Sequence, residues 1–132
     1  MNRDIVWIRK PLALRVHVEQ LQRHGGEDGM LNEDRLDSAL ARPRTVVGDA
    51  PDTSLEELAA SMAIGIAKGH PFIDANKRTA CVVSLMFLRL NGIEIDAAED
   101  DLAGVFEDVA GGEMSEADLA QWFTENTMPP EW

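Results

Sequence analysis

The stretch Ala80 to Leu88 (Ala-Cys-Val-Val-Ser-Leu-Met-Phe-Leu) limits the possible folds of this chain more than any other. Drawn as a helix from about Asn76 to Leu90, it is apolar nearly all round. Such a helix has no solvent face and must be covered on several sides, so it belongs at the centre of a bundle. The segment before it supplies one covering helix. Leu55, Leu58, Ala59, Met62, Ala63 and Ile66 form an amphipathic stripe behind Ser54 and Glu57, a capping-box pair, and the pattern ends near Lys68-Gly69.

The remaining elements follow from local signals. Pro11 suits a first helical turn, where its missing N–H costs nothing. Leu14, Val18 and Leu21 continue that helix to His24-Gly25-Gly26, and Asp28-Gly29 reads as a turn. A second helix starts at about Asn32 with Leu36, Ala39 and Leu40 on one face, and Arg42-Pro43 is expected to stop it. Residues 44–53 then read as a loop. After Asn91-Gly92, the pair Asp96 and Glu99 marks a helix carrying Leu102, Val105, Phe106 and Val109 as far as Gly111-Gly112. Ser115 with Asp118 marks a last helix carrying Leu119, Trp122 and Phe123, and Pro129 and Pro130 mark its frayed end. Ile5–Ile8 and Ile93–Ile95 are expected as very short strands. The expectation is one all-α domain spanning 1–132, with about six helices around a central buried helix.

Composition removes several classes of function. At 132 residues, 45% apolar and 27% charged, the chain can bury a single core. One cysteine, Cys81, excludes an internal disulfide framework. No apolar run approaches the roughly 20 residues of a membrane span, and no signal peptide is legible, so a cytoplasmic protein without membrane attachment is expected. The net charge of −12 disfavours direct nucleic-acid binding, which depends on neutralising phosphates. From Gly92 to Trp132 there are 12 acids and no Lys or Arg, which reads as a solvated acidic face or as a surface for a basic partner.

Against that background, Lys68, Lys77 and Arg78 lie within one short segment with the single acid Asp74. The run is His70-Pro71-Phe72-Ile73-Asp74-Ala75-Asn76-Lys77-Arg78-Thr79. Pro71 takes the chain out of the preceding helix, and Phe72 can anchor the loop to the core. The next helix starts near Asn76, where unpaired backbone N–H groups and the helix dipole favour an anion. Cations are unfavourable in a first turn unless an anion such as a polyphosphate is bound there, and Arg offers a planar fork to phosphate oxygens. His70 is a titratable base beside this place. Asp74 is a hard oxygen ligand of the kind that holds Mg²⁺ together with phosphates. Helix capping, a solvated Lys77 and Arg78, and a plain loop histidine explain the same residue types. Composition and spacing therefore establish an anion site with a candidate base.

The complete string resembles the signature of the Fic/Doc family, His-x-Phe-x-Asp/Glu-Gly/Ala-Asn-Lys/Gly-Arg, at nine consecutive positions. His24-Gly25-Gly26 through Gly29, Leu36 to Pro43, and Phe87-Leu88-Arg89-Leu90-Asn91-Gly92 resemble the Doc branch, a group of toxins from toxin–antitoxin systems. The resemblance covers roughly residues 10–95. It implies His70 as general base and Asp74 as the Mg²⁺ ligand. It also implies Asn76, Lys77 and Arg78 as phosphate-binding residues, with Lys68 as a further phosphate candidate and Phe72 as structural. Fic adenylyltransferases usually carry Gly at the place of Lys77, and a second Arg three places after the first, where Cys81 stands here. With these departures, the resemblance to the Doc branch implies a kinase that presents the γ-phosphate of ATP to a protein hydroxyl. The expected target is a threonine of elongation factor Tu, with translation arrest as the outcome and a Phd-type antitoxin as the partner. Adenylyl transfer on the same fold, and a non-catalytic anion-binding module, are the alternatives.

Other residues read as structural. His17 sits among apolar residues of the first helix as a packed or surface histidine. Cys81 is a small apolar filler. Glu27, Asp28, Glu33, Asp34 and Asp37 lack the alternating spacing of an EF-hand loop. The three tryptophans are scattered and form no stacking platform. The 44–53 loop is either a plain connection or a flap that aligns the target segment.

Overall fold

The computed structural model describes residues 3–129, so the expected features at Pro130 and Trp132 lie outside the described residues. Among the described residues there are six helices: α1 (Lys10–His24), α2 (Glu33–Asp49), α3 (Leu55–Gly69), α4 (Asn76–Leu90), α5 (Glu99–Gly111) and α6 (Glu116–Glu125). Sheet structure is limited to two single bridges, Met30 with Phe72 and Ile95 with Thr127. The all-α expectation holds.

The central position belongs to α3. It packs against α2, α4, α5 and α6, whereas α4 packs against α1, α3 and α5. The residues explain the exchange. α3 is lined with small and apolar side chains on all sides, and Leu58, Ala59, Ala60, Met62, Ala63, Ile66 and Ala67 are buried. Ala and Gly let neighbouring backbones approach closely. A Cβ built on Gly65 would lie 2.8 Å from the Cβ of Ala39 and 2.9 Å from its Cα, so α2 crosses α3 where only glycine fits. α4 buries Ala80, Val83, Phe87 and Leu88. Its remaining apolar residues, Cys81, Val82, Leu85 and Met86, are half-buried.

Capping sets several helix starts. Ser54 accepts from Glu57 N at 3.1 Å, and Ser115 accepts from Asp118 N at 3.0 Å, each within a reciprocal capping box. Asn32 caps α2 through Arg35 N at 3.2 Å. The expected Asp96 cap is not made; α5 begins two residues later, behind Ala98.

Two further expectations are corrected. α2 runs through Pro43 to Asp49, so most of the expected 44–53 loop is helix. An internal proline removes one backbone hydrogen bond and costs about 3 kcal/mol. Here Pro43 is itself buried, and Val46 and Val47 pack against the core beyond it. Arg42 also fastens this turn to α3 and α6 through the Ser61 carbonyl at 3.0 Å and Glu116 at 2.6 Å. Ile5–Ile8 forms no strand. Asn91 supplies the pairing that a neighbouring strand would give: its Oδ1 accepts from Val6 N, and its Nδ2 donates to Val6 O, both at 2.9 Å. Ile93–Ile95 contributes only the bridge at Ile95.

Candidate active site

The motif occupies the turn between α3 and α4, and its backbone is unusual. His70 closes α3 at φ 51°, and Ala75 precedes α4 at φ 66°. Left-handed geometry at a residue with a Cβ costs roughly 1–2 kcal/mol, so the surroundings must hold it. Pro71 and Phe72 are buried. Asn76, also buried, clamps Phe72 by accepting from its N–H at 3.0 Å and donating to its carbonyl at 2.9 Å. The Pro71 carbonyl accepts from Leu31 N and Asn32 N, and Ile73 N donates to the Gly29 carbonyl. The loop is thus stitched along one side to residues 29–32.

This stitching brings His70, Asp74, Asn76, Lys77 and Arg78 around one cavity of about 640 Å³, whose far wall is Glu107, Ala110 and Gly111 of α5. His70 is exposed to it. The Asn76 amide nitrogen lies 3.4 Å from His70 Nδ1, a contact long enough to orient the ring without fixing its tautomer. Among the described residues His70 Nε2 makes no hydrogen bond, leaving it available to a hydroxyl group.

Asp74 is held as an anion. Its Oδ2 accepts from Glu27 N at 3.1 Å and its Oδ1 from Ala75 N at 2.8 Å. These two N–H donors, in that order, hold its carboxyl below the usual carboxylate range, with the Arg78 charge adding to them. Gly26 makes the approach possible. At φ 127° its added Cβ would lie 2.9 Å from Asp74 Oδ2 and 3.3 Å from an Arg78 nitrogen. Each carboxylate oxygen keeps a lone pair for a cation. Among the described residues no group of three or more His, Cys, Asp or Glu could hold a metal ion. That donor set fits Mg²⁺, which takes one or two carboxylates and completes its shell with phosphate oxygens and water.

The start of α4 has no side-chain cap and no acid in its first turn, so its leading N–H groups face outward with Lys77 and Arg78 beside them. Both cations already have partners. Lys77 pairs with Glu107 at 2.8 Å. Arg78 donates to the Gln20 carbonyl at 3.2 Å and the Gly25 carbonyl at 3.0 Å, fastening the end of α1 to the site. Lys68 does not line this cavity; it lines the groove between α2 and α3, with its Nζ 3.8 Å from where a Cβ on Gly112 would stand, beside the cavity wall at Gly111. None of residues 44–53 lines the cavity either, and Arg44 stacks over Trp7 instead, 5.5 Å from the ring centroid.

The remaining sequence readings resolve simply. Glu33 and Asp37 pair with Lys10, at 3.0 and 2.8 Å, rather than forming an ion site. The Cys81 thiol is pushed up to about 12 by burial and carries no charge for a phosphate. Two contributors to the site were missed from sequence. Gly26 reads as part of a helix end and of the Doc-like stretch His24–Gly29, without a role at the site, and Glu107 reads only as one acid of an acidic segment. Their partners lie 47 or more residues away for Gly26's neighbour Glu27, and 30 residues away for Glu107, so no local pattern marks them.

The chain is similar in sequence to known proteins. A family model described as Fic/DOC family matches residues 7–88. The chain is 37% identical over 106 residues to a protein of Escherichia phage P1 named protein kinase doc, covering 80% of this chain and 82% of that one. It is 37% identical over 83 residues to a protein of Mycolicibacterium smegmatis named toxin Doc, covering 58% and 64% respectively. The family model spans more than half of the chain and takes in the whole His70–Arg78 turn, and the chain belongs to the Fic/DOC family.

Proposed function

We propose that this protein is a Doc-like toxin that transfers the γ-phosphate of ATP to a Ser or Thr hydroxyl of a translation factor, with elongation factor Tu as the expected target. The observation that carries this reading is the convergence of an exposed His70, an ionised Asp74 and the uncapped α4 N-terminus with Lys77 and Arg78 on one cavity. The name of the phage P1 relative, protein kinase doc, supports the reaction class, and the name toxin Doc supports the biological setting.

In this reading the α4 N–H groups, Lys77 and Arg78 bind phosphate oxygens. Lys77 exchanges Glu107 for phosphate, and Arg78 uses those of its N–H groups that the α1 carbonyls leave unused. Asp74 would hold Mg²⁺, which when bound neutralises phosphate charge. His70 Nε2 takes the hydroxyl proton as the hydroxyl oxygen forms its bond to the γ-phosphorus. The bond from phosphorus to the bridging oxygen breaks, and ADP leaves. Such transfer needs positioning and charge neutralisation more than covalent chemistry. Cys81, neutral and half-buried where adenylyltransferases use an arginine, weighs against AMP transfer.

The proposed partner is an antitoxin of Phd type. What supports it is a trough of about 460 Å³ between α1, α4 and α5, floored by Val82, Leu85, Leu102 and Phe106 and adjoining Lys77 and Arg78. An apolar helix seated there would cover both cations.

Expression without antitoxin tests the reading. Wild-type chain is expected to arrest growth and His70→Ala to permit it, at equal soluble level and unchanged helical content. A base contributes about 10²–10⁴ in rate. A folded His70→Ala variant that arrests growth as fast as wild type contradicts the base assignment.

A further inference from the structure

His17 stands outside the motif and is not used by the chemistry above. It lies in the middle of α1, 3% exposed, with its ring flat on Phe72: the centroids are 3.7 Å apart and the planes 7° from parallel. Its Nε2 is 3.0 Å from the main-chain oxygen of Asp74, 57 residues away. A carbonyl oxygen only accepts, so Nε2 carries a proton and donates it.

The bond falls on the most demanding peptide of the loop. The Asp74–Ala75 peptide leads into the left-handed Ala75. Its N–H donates to Asp74 Oδ1, and its C=O accepts from His17. One peptide plane is therefore held at both ends, by the carboxylate on one side and by α1 on the other. A flip of that plane would exchange the two groups, remove the Ala75 N–H from Oδ1 and release the carboxylate from its direction. Asn76 fixes the Phe72 backbone, but it does not touch the Asp74 carbonyl. Nor does any other side chain among the described residues bond that oxygen.

We propose that His17 is a positioning residue for Asp74: stacked on Phe72 and bonded to the Asp74 carbonyl, it holds the loop so that the carboxylate faces the phosphate site. The proposal rests on the reading of Asp74 as the cation ligand. It assigns to α1 a part in cation binding that the motif alone does not contain. Partners that orient a metal ligand from behind typically change metal affinity or activity about 10–100-fold when removed.

The test uses the full chain with two substitutions. His17→Phe keeps a ring on Phe72 and loses the donor; His17→Gln keeps a donor and loses the ring. Amide exchange at Glu27 and Ala75, the two donors to the Asp74 carboxylate, is followed by NMR without any nucleotide. Binding of Mn²⁺ in the presence of ADP is measured by electron paramagnetic resonance. Leu119→Ala, a core truncation in α6, serves as a control for lost stability. Expected are faster exchange at both amides and Mn²⁺ binding about 10-fold weaker or more in His17→Phe. His17→Gln should stay within about threefold of wild type, and the control should bind normally. Wild-type exchange and affinity in His17→Phe overturn the proposal. So does a His17→Gln variant as impaired as His17→Phe, or a control that loses as much affinity at matched stability. If the wild-type chain itself fails to bind Mn²⁺ with ADP, the cation reading of Asp74 falls, while amide exchange still decides whether His17 holds the loop.

Discussion

Asp74 shows how a single side chain links the loop to pH. Its carboxyl is held below the ordinary value, chiefly by the Glu27 and Ala75 N–H groups, so the folded chain binds this proton less tightly than the unfolded chain does. The resulting stabilisation is fully present above the unfolded value, roughly pH 4, and is lost as pH falls through the lower folded value. Asp74→Asn removes this contribution. Thermal unfolding followed from pH 6 to pH 2 should show a shallower acid loss in the variant than in wild type. Parallel curves would mean that the two N–H donors do not hold the carboxylate in solution. The grouping of His70, Asp74, Asn76, Lys77 and Arg78 around one cavity is legible because all five lie within nine consecutive residues. His17 and Gly26 were not legible as site residues, because their roles depend on α1 meeting the loop in space.

Among the helices, local signals succeeded where the ends are closed by local bonds. Ser54 with Glu57 and Ser115 with Asp118 form the capping boxes that their spacing indicates. Local signals failed where tertiary packing overrides them. Pro43 reads as a stop, but α2 continues because Pro43 itself is buried, Val46 and Val47 pack against the core, and Arg42 is tied to α3 and α6. The apolar run of α4 reads as the centre of the bundle. The centre is instead α3, whose small residues let neighbouring helices approach closely, while α4 leaves one stripe half-covered beside the site. Gly65 tests this account. Ala is the better helix former by about 1 kcal/mol. At Gly65, however, the added Cβ would meet the Ala39 backbone at 2.9 Å, which no side-chain rotation relieves. Overpacking costs about 1–3 kcal/mol. Gly65→Ala should therefore lower stability in urea titration by about 1 kcal/mol; an increase would show that α2 and α3 have room to separate.

At the scale of the whole molecule, an acidic chain of net charge −12 presents two cations and an ionised aspartate in one cavity, with an apolar trough beside it. Several of the acids meet cations of earlier helices, as Glu107 meets Lys77 and Glu116 meets Arg42. No helix among the described residues is long and apolar enough to cross a membrane. If the trough seats an antitoxin helix, a charge placed on its floor should separate inhibition from activity. Leu85→Glu is expected to weaken antitoxin binding about 30-fold or more by calorimetry, the scale of an interface hot spot, with phosphate transfer unchanged. Equal affinity would move the partner elsewhere. Which phosphate of ATP moves decides between phosphoryl and adenylyl transfer. Purified chain, Mg²⁺ and elongation factor Tu would be incubated with ATP labelled at either the γ- or the α-phosphate. Transfer of the γ-label alone, lost in His70→Ala, is the predicted result. Transfer of the α-label to the protein would contradict it and make this chain an adenylyltransferase.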